Sequence, residues 1–234
     1  MRKLSLPDID LFLTPRLKMV ADAVPESRVV CDIGTDHAYV PIYLIKNKIC
    51  RKSIAADIRK GPLKAAQENI KKFGVENDVK PRLSDGFCAL SQFEAETAII
   101  AGMGGETIAK ILEKDTGVKN FVLQPQTAKA FLRLFLQQNG YLIKKEYLCR
   151  EGEKMYVCIF AVRGKMPPLS ETEAQIGPML IKERPPLFKE YVRYRKREID
   201  CALEKMRFAG SALHRREEFE NLKAEYERLI DERV

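Results

Sequence analysis

No stretch of this 234-residue chain approaches the ~18 apolar residues needed to cross a bilayer, so a membrane-spanning helix is not expected. Met1-Arg2-Lys3-Leu4-Ser5 lacks the sustained apolar core of a secretory signal. C-x-x-C pairs are missing too. Cys31, Cys50, Cys88, Cys149, Cys158 and Cys201 are scattered and accompanied by only two histidines, which argues against a zinc site and against a disulfide scaffold. The thiols are expected to be reduced and mostly buried, as in the cytoplasm. With 13 Gly, 12 Pro and 45% hydrophobic residues, the chain is too rich in apolar side chains to be disordered. Neither an internal repeat nor a low-complexity segment interrupts it. Its length suits one α/β domain with a smaller appendage, or two small domains.

What the chain does have is positive charge, a formal +8. Residues 1–164 hold 26 Lys/Arg against 19 Asp/Glu, and residues 165–234 hold 15 against 14. Within the second part, Lys182 to Arg197 is a local run of seven basic and two acidic residues. Such a balance fits a polyanionic partner such as RNA, or equally a solvated basic face.

Along the chain, Thr14-Pro15 reads as N-cap and first turn of a helix carrying Leu17, Val20, Ala21 and Val24, stopped by Pro25. Arg28 to Gly34 is an apolar run ending in Gly, as in a buried parallel strand. Strand-like and helical segments then alternate: Ser53–Asp57, Gly61–Phe73, Val79–Leu83, Thr97–Ala101, a helix through Ile108 and Leu112, Phe121–Leu123, and Thr127–Gln138. Five strand-then-helix units in series predict a doubly wound parallel sheet. Tyr141–Cys149 and Lys154–Val162 are joined too tightly for a crossover helix and must pair antiparallel. Five parallel strands closed by an antiparallel hairpin are the Rossmann-like arrangement of class I methyltransferases.

Gly164 to Pro168 reads as a linker, placing a boundary between residues 1–164 and 165–234. Beyond it, Ser170-Glu171-Thr172-Glu173 resembles a capping box. Val192, Ile199, Ala202 and Met206, then Phe219, Leu222, Tyr226 and Leu229 after a break at Gly210-Ser211, predict a helical hairpin with coiled-coil-like packing.

Ligands of doubly wound sheets sit outside the carboxyl ends of the strands. Those ends here are Asp32-Ile33-Gly34-Thr35-Asp36-His37-Ala38, Asp57, Ser84-Asp85-Gly86, Gly102-Met103-Gly104-Gly105 and Gln124-Pro125. A nucleotide pyrophosphate needs bare amides in a G-x-G-x-x-G loop, but only Gly34 stands in that register, flanked by Asp32 and Asp36. Two carboxylates repel a pyrophosphate and suit a ligand bearing ammonium and sulfonium groups, as S-adenosylmethionine (SAM) does. Asp57 can accept both ribose hydroxyls, and Asp85 the adenine amino group.

Val30-Cys31-Asp32-Ile33-Gly34-Thr35-Asp36-His37-Ala38-Tyr39, with Ala101-Gly102-Met103-Gly104-Gly105 and Leu123-Gln124-Pro125, resembles the bacterial tRNA (adenine-22-N1)-methyltransferases. Ile176-Gly177-Pro178 before a charged helical hairpin is similar to the C-terminal coiled-coil region of that family. The resemblance covers essentially the whole chain and implies methyl transfer from SAM to N1 of an adenine in the D-arm region of tRNA. The expected cofactor-binding set is Asp32, Gly34, His37, Asp57, Ile58, Asp85, Gly86, Gly102, Met103 and Gly104.

Ring N1 of adenine attacks through an in-plane lone pair and yields a cationic product. Asp36 is the residue placed to stabilise that charge or to take a proton from the exocyclic amine, though it could instead contact SAM or cap a helix. His37 could pack on the cofactor or cap the helix, Tyr39 could stack on the target base or be buried, and Met103 could line the pocket or belong to the core. The N/D-P-P-Y/F motif of exocyclic-amine methyltransferases is absent after the fourth strand, which favours a ring nitrogen. A paired target must leave its helix, so a basic pocket mouth is needed, with Arg16 and Lys18 as contributors. Gln124, Lys189, Arg193 and Arg197 complete the expected substrate-binding set, the last three gripping phosphates or forming a solvated face. A monomer or weak dimer without metal is expected. Two other readings stand beside this one: a methyltransferase of the same fold acting on protein or small molecule, and a non-catalytic RNA-binding protein with a vestigial SAM site.

Overall fold

The computed structural model describes residues 8–209 and 213–232. Two of the expectations, the reading of Met1–Ser5 and the break at Gly210-Ser211, lie outside the described residues. A 3-10 turn, Ile9–Phe12, leads into α1 (Pro15–Asp22), where the Thr14 hydroxyl accepts from the Leu17 N–H at 3.4 Å and Pro15 takes the first turn. There follow β1 (Ser27–Ile33), α2 (Tyr39–Lys46), β2 (Cys50–Asp57), α3 (Lys60–Lys72), β3 (Val79–Leu83), β4 (Thr97–Met103), α4 (Gly105–Leu112), β5 (Asn120–Pro125), α5 (Lys129–Gln138), β6 (Tyr141–Glu151) and β7 (Lys154–Arg163). The seven strands order as β3-β2-β1-β4-β5-β7-β6. β1 to β5 are parallel, β7 runs antiparallel to β5, and β6 antiparallel to β7. The order turns back at β1, with β2 on one side and β4 on the other, so a crevice opens at their carboxyl ends.

The central strands are apolar on both faces because both are covered. Val30, Ile99 and Val122 join α1, α2 and α3 in one core cluster. Cys31, Ile33, Ala98, Ile100, Phe121 and Leu123 join α4 and α5 in the other. That second cluster continues into α6 (Glu171–Ile176), α7 (Pro178–Glu183), α8 (Phe188–Ala209) and α9 (Leu213–Asp231), through Ile176, Leu180, Phe188, Tyr191, Leu222 and Tyr226. Apolar packing therefore crosses residue 164 without a gap. Ser170 and Glu173 form the capping box at the start of α6.

Two local readings are corrected. The third strand-then-helix unit does not form: between β3 and β4 the described chain makes turns. There Ser84 Oγ donates to the Gly86 carbonyl at 2.7 Å and accepts from the Ala89 N–H at 3.0 Å, while Phe87 and Leu90 fill the core in place of a helix. The helix expected from Thr127 begins at Lys129, because Ala128 takes a left-handed conformation, φ 51°, and the Thr127 carbonyl turns to accept the Gly105 N–H at 3.0 Å.

Candidate active site

A cavity of about 860 Å³ opens at the carboxyl ends of β1 to β4, under α1 and beside α4. Asp32, Gly34, Asp36, His37, Tyr39, Asp57, Ile58, Asp85, Gly86, Gly102, Met103 and Arg16 all line it. The acidic groups differ by depth. Asp32 and Asp57 are buried, whereas Asp85 and Asp36 are exposed, the Asp36 side chain to 71%. Burial pushes the Asp32 carboxyl up to about 6, and the nearby Asp57 charge adds to the rise. Asp57 Oδ1 accepts the Arg59 N–H at 2.7 Å, which fixes the carboxylate at the exit of β2.

The loop after β1 is shaped by its backbone. The N–H groups of Gly34 and Thr35 both donate to the Ala56 carbonyl at 2.8 Å, tying the loop to β2. Gly34 has φ 79°, a left-handed conformation that favours glycine, and the Met103 methyl group stands where its Cβ would be. His37 (φ 62°) and Ala38 (φ 55°) are consecutive left-handed residues, a strained pair that delays α2 until Tyr39. The strain presents the His37 ring flat against Tyr39, with centroids 5.4 Å apart and planes 12° apart, and Asn69 Nδ2 holds the His37 carbonyl at 3.0 Å. His37 Nε2 lies 3.4 Å from Asp36 Oδ1.

Six expected residues do not reach the cavity. Gly104 packs instead against Thr127, whose Oγ1 would lie 3.1 Å from a Cβ at that position. Lys18 pairs with Asp22 one helical turn on, and its ammonium sits 5.2 Å from the Tyr43 ring centroid. Gln124 is completely buried; its Oε1 accepts from Arg16 Nη1 at 3.1 Å and its Nε2 donates to the Pro125 carbonyl at 3.2 Å. It supports a cavity residue rather than being one. Lys189, Arg193 and Arg197 lie on α8 and do not line the cavity. Their neighbours in the basic run are committed within the fold: Arg184 to Glu232, Arg195 to Glu198, and Lys196 to Asp200 and Glu227.

Other lining residues were not singled out from the sequence. Phe12 closes one side, 5.5 Å from Tyr39 and 5.4 Å edge-on to Phe73. Arg59, Lys110 and Lys114 add cations, and Phe87 and Ile111 an apolar wall. Lys110 lies on α4 and Lys114 just past its end. Phe12 had no signal in the sequence, because its place in the cavity depends on the 3-10 turn.

Comparison with known proteins places this geometry. Residues 13–159 match the sequence family described as "Methyltransferase domain". The tRNA (adenine(22)-N(1))-methyltransferase of Bacillus subtilis (strain 168) is 34% identical over 188 residues, which cover 76% of this chain and 79% of that protein. The crystal structure of the B. subtilis m1A22 tRNA methyltransferase TrmK superimposes with a TM-score of 0.82 at 29% identity, covering 97% of this chain and 100% of that one. M. capricolum TrmK, solved with the cofactor product S-adenosyl-homocysteine, gives 0.79 at 29% identity, over 94% and 98%.

Proposed function

The chain belongs to the tRNA (adenine-22-N1)-methyltransferase family, and from that premise we propose that it methylates N1 of adenine 22 in tRNA with SAM as donor. The observation that carries this reading is the row of Asp85, Asp57 and Asp32 at the ends of β3, β2 and β1, with open glycine backbone at Gly34 and Gly102. That row fits the cofactor: Asp85 for the adenine amino group, Asp57 for the ribose hydroxyls, Asp32 for the ammonium group. Gly34 and Gly102 leave room that any Cβ would narrow. When bound, SAM supplies an electrophilic methyl group on its sulfonium.

This chain's residues do the rest. The stacked His37–Tyr39 pair and Phe12 offer an aromatic surface for a base pulled out of its helix. Asp36, at the mouth, faces the positive charge that develops as ring N1 loses its lone pair, and lowers its energy. The same carboxylate can take a proton from the exocyclic amine. Residues 1–164 form the catalytic unit in this reading, and residues 165–234 the unit that touches tRNA through Lys189, Arg193 and Arg197. The protein works in the cytoplasm as a monomer or weak dimer, with no metal.

The test is direct. Purified protein is incubated with methyl-labelled SAM and an unmodified tRNA transcript, and the product is digested and mapped. One labelled 1-methyladenosine at position 22 is expected. Label elsewhere in the tRNA, or none, overturns the reading.

A further inference from the structure

Resting on the methyl-transfer reading above, we infer that Asn69 is a positioning residue for the reaction, holding the turn that presents Asp36 and the His37–Tyr39 stack to the target base. The loop between β1 and α2 is fixed at both ends. At its start, the Gly34 and Thr35 N–H groups donate to the Ala56 carbonyl at 2.8 Å and tie it to β2. At its end, the Ala38 carbonyl accepts the Ile42 N–H at 3.0 Å, the first bond of α2. Between these ties the chain passes through His37 and Ala38, both left-handed.

That conformation is costly for residues with a Cβ, and it lasts only where the surroundings fix it. The relaxed alternative is to start α2 earlier, with His37 and Ala38 right-handed. Pro41 removes the bond that would reward this. In such a helix the His37 carbonyl accepts from the N–H of the residue four places on, and proline has none. The carbonyl is thereby left for a donor from elsewhere. Asn69, on α3, supplies it, with Nδ2 donating at 3.0 Å. Among the described residues no other hydrogen bond reaches the His37 carbonyl.

The bond acts on the side chains that face the target base. The turn sets the His37 ring flat on Tyr39, with His37 Nε2 3.4 Å from Asp36 Oδ1. Asp36 is otherwise exposed, so its place follows from this turn. Without the clamp, Asp36 and the stack are released together. The cofactor residues Gly34 and Asp57 keep their own ties, to Ala56 and to Arg59. A defect in turnover is therefore expected without a defect in cofactor affinity.

Methyl transfer to an unmodified tRNA transcript at saturating SAM, with tRNA varied, tests this beside calorimetric titration of the full chain with S-adenosylhomocysteine. Asn69→Ala should lower kcat roughly 10-fold, the range for one hydrogen bond that fixes reacting geometry, and leave S-adenosylhomocysteine affinity unchanged. Its urea midpoint should stay near wild type, because the side chain is half-buried on α3 and alanine is the better helix former. Asn69→Asp, which keeps the shape but loses the N–H donor, should be as slow. Ala38→Gly should restore part of the rate to Asn69→Ala, because glycine takes the left-handed conformation without a clamp. An unchanged kcat in Asn69→Ala, S-adenosylhomocysteine affinity falling in step with kcat, or a raised KM for tRNA with kcat intact overturns the assignment. So does a loss that Ala38→Gly fails to relieve. Wild-type protein that makes no 1-methyladenosine at position 22 overturns the proposed function itself, and the inference with it.

Discussion

Arg133 Nε donates to Glu146 Oε1 at 2.8 Å with neither side chain exposed, and between them the two residues hold the facing ends of two helices. Arg133, on α5, donates to the carbonyls of Ala174, Gln175 and Ile176 at 2.8, 3.2 and 3.0 Å, the closing turn of α6. Glu146, on β6, accepts from the N–H groups of Met179 and Leu180 at 3.0 and 3.4 Å, the opening turn of α7. Cation meets carbonyl end and anion meets amide end, each satisfying groups that a helix leaves unpaired. Gly177 stands between them at φ 127°, and a Cβ there would lie 2.5 Å from Glu146 Oε2. The Ile176-Gly177-Pro178 motif is thus the place where the C-terminal helices are fastened to the sheet.

Breaking that pair from one side leaves a buried charge alone. Arg133→Met should destabilise the protein by about 3–5 kcal/mol in urea unfolding, and Glu146→Leu by a similar amount. The double substitution should cost less than the two singles combined, because neither charge is then stranded. Additive losses would show that the two side chains act independently.

Asp32 opposes stability as it serves binding. Its folded-state carboxyl is raised to about 6, above the unfolded value of 3.8. The neutral form therefore favours folding fully below the unfolded value, and that stability is lost as pH rises through about 6. The loss is on the order of 3 kcal/mol. Asp32→Asn should raise the melting temperature of the ligand-free protein at pH 7.5, with the gain shrinking as pH falls from 6 toward 4. The same variant should lose S-adenosylhomocysteine binding at every pH. A gain in stability independent of pH would detach it from this carboxyl.

β1, β2, β4 and β5 were legible as short apolar runs, β3 from the Ser84-Asp85-Gly86 turn that closes it, and the closing hairpin because its turn is too short for a crossover. The deviations come from backbone states that composition does not announce: left-handed His37, Ala38 and Ala128, which shift helix starts. Arg133 was invisible for another reason. On a helix with an apolar stripe, an arginine reads as solvent-facing until the partner that neutralises it is known, and that partner is on a strand thirteen residues away. Gln124 was read as a ligand contact from its strand-end position, but its burial and its bond to Arg16 depend on where α1 lies.

Asp36 separates two roles that its position leaves open. Its side chain is 71% exposed, and within the described residues its contact is with His37. Asp36→Asn should lower kcat at saturating SAM by roughly 10²-fold or more, the range for proton transfer or charge stabilisation at the reacting group, with S-adenosylhomocysteine affinity retained. Weakened S-adenosylhomocysteine binding with kcat intact would make it a cofactor ligand.

The basic run on α8 divides into two populations with different expected effects. Arg195 bonds Gln175 Oε1 at 3.1 Å and Glu198 at 3.0 Å, and Lys196 bridges Asp200 and Glu227 at 3.3 and 3.2 Å, so both tie the hairpin to its neighbours. Lys189, Arg193 and Arg197 recur every four residues on one helix face, and none has a carboxylate partner among the described residues. Each phosphate neutralised releases counterions and contributes about 0.7 to 0.9 to the slope of log affinity against log salt. Replacing the three by alanine should therefore weaken tRNA binding at low salt and flatten that slope by roughly 2 to 3, with unfolding little changed. Lys196→Ala should do the reverse, lowering the urea midpoint and leaving the slope in place. A slope untouched by the triple substitution would make this face a solvated surface and move the tRNA contact elsewhere on the protein.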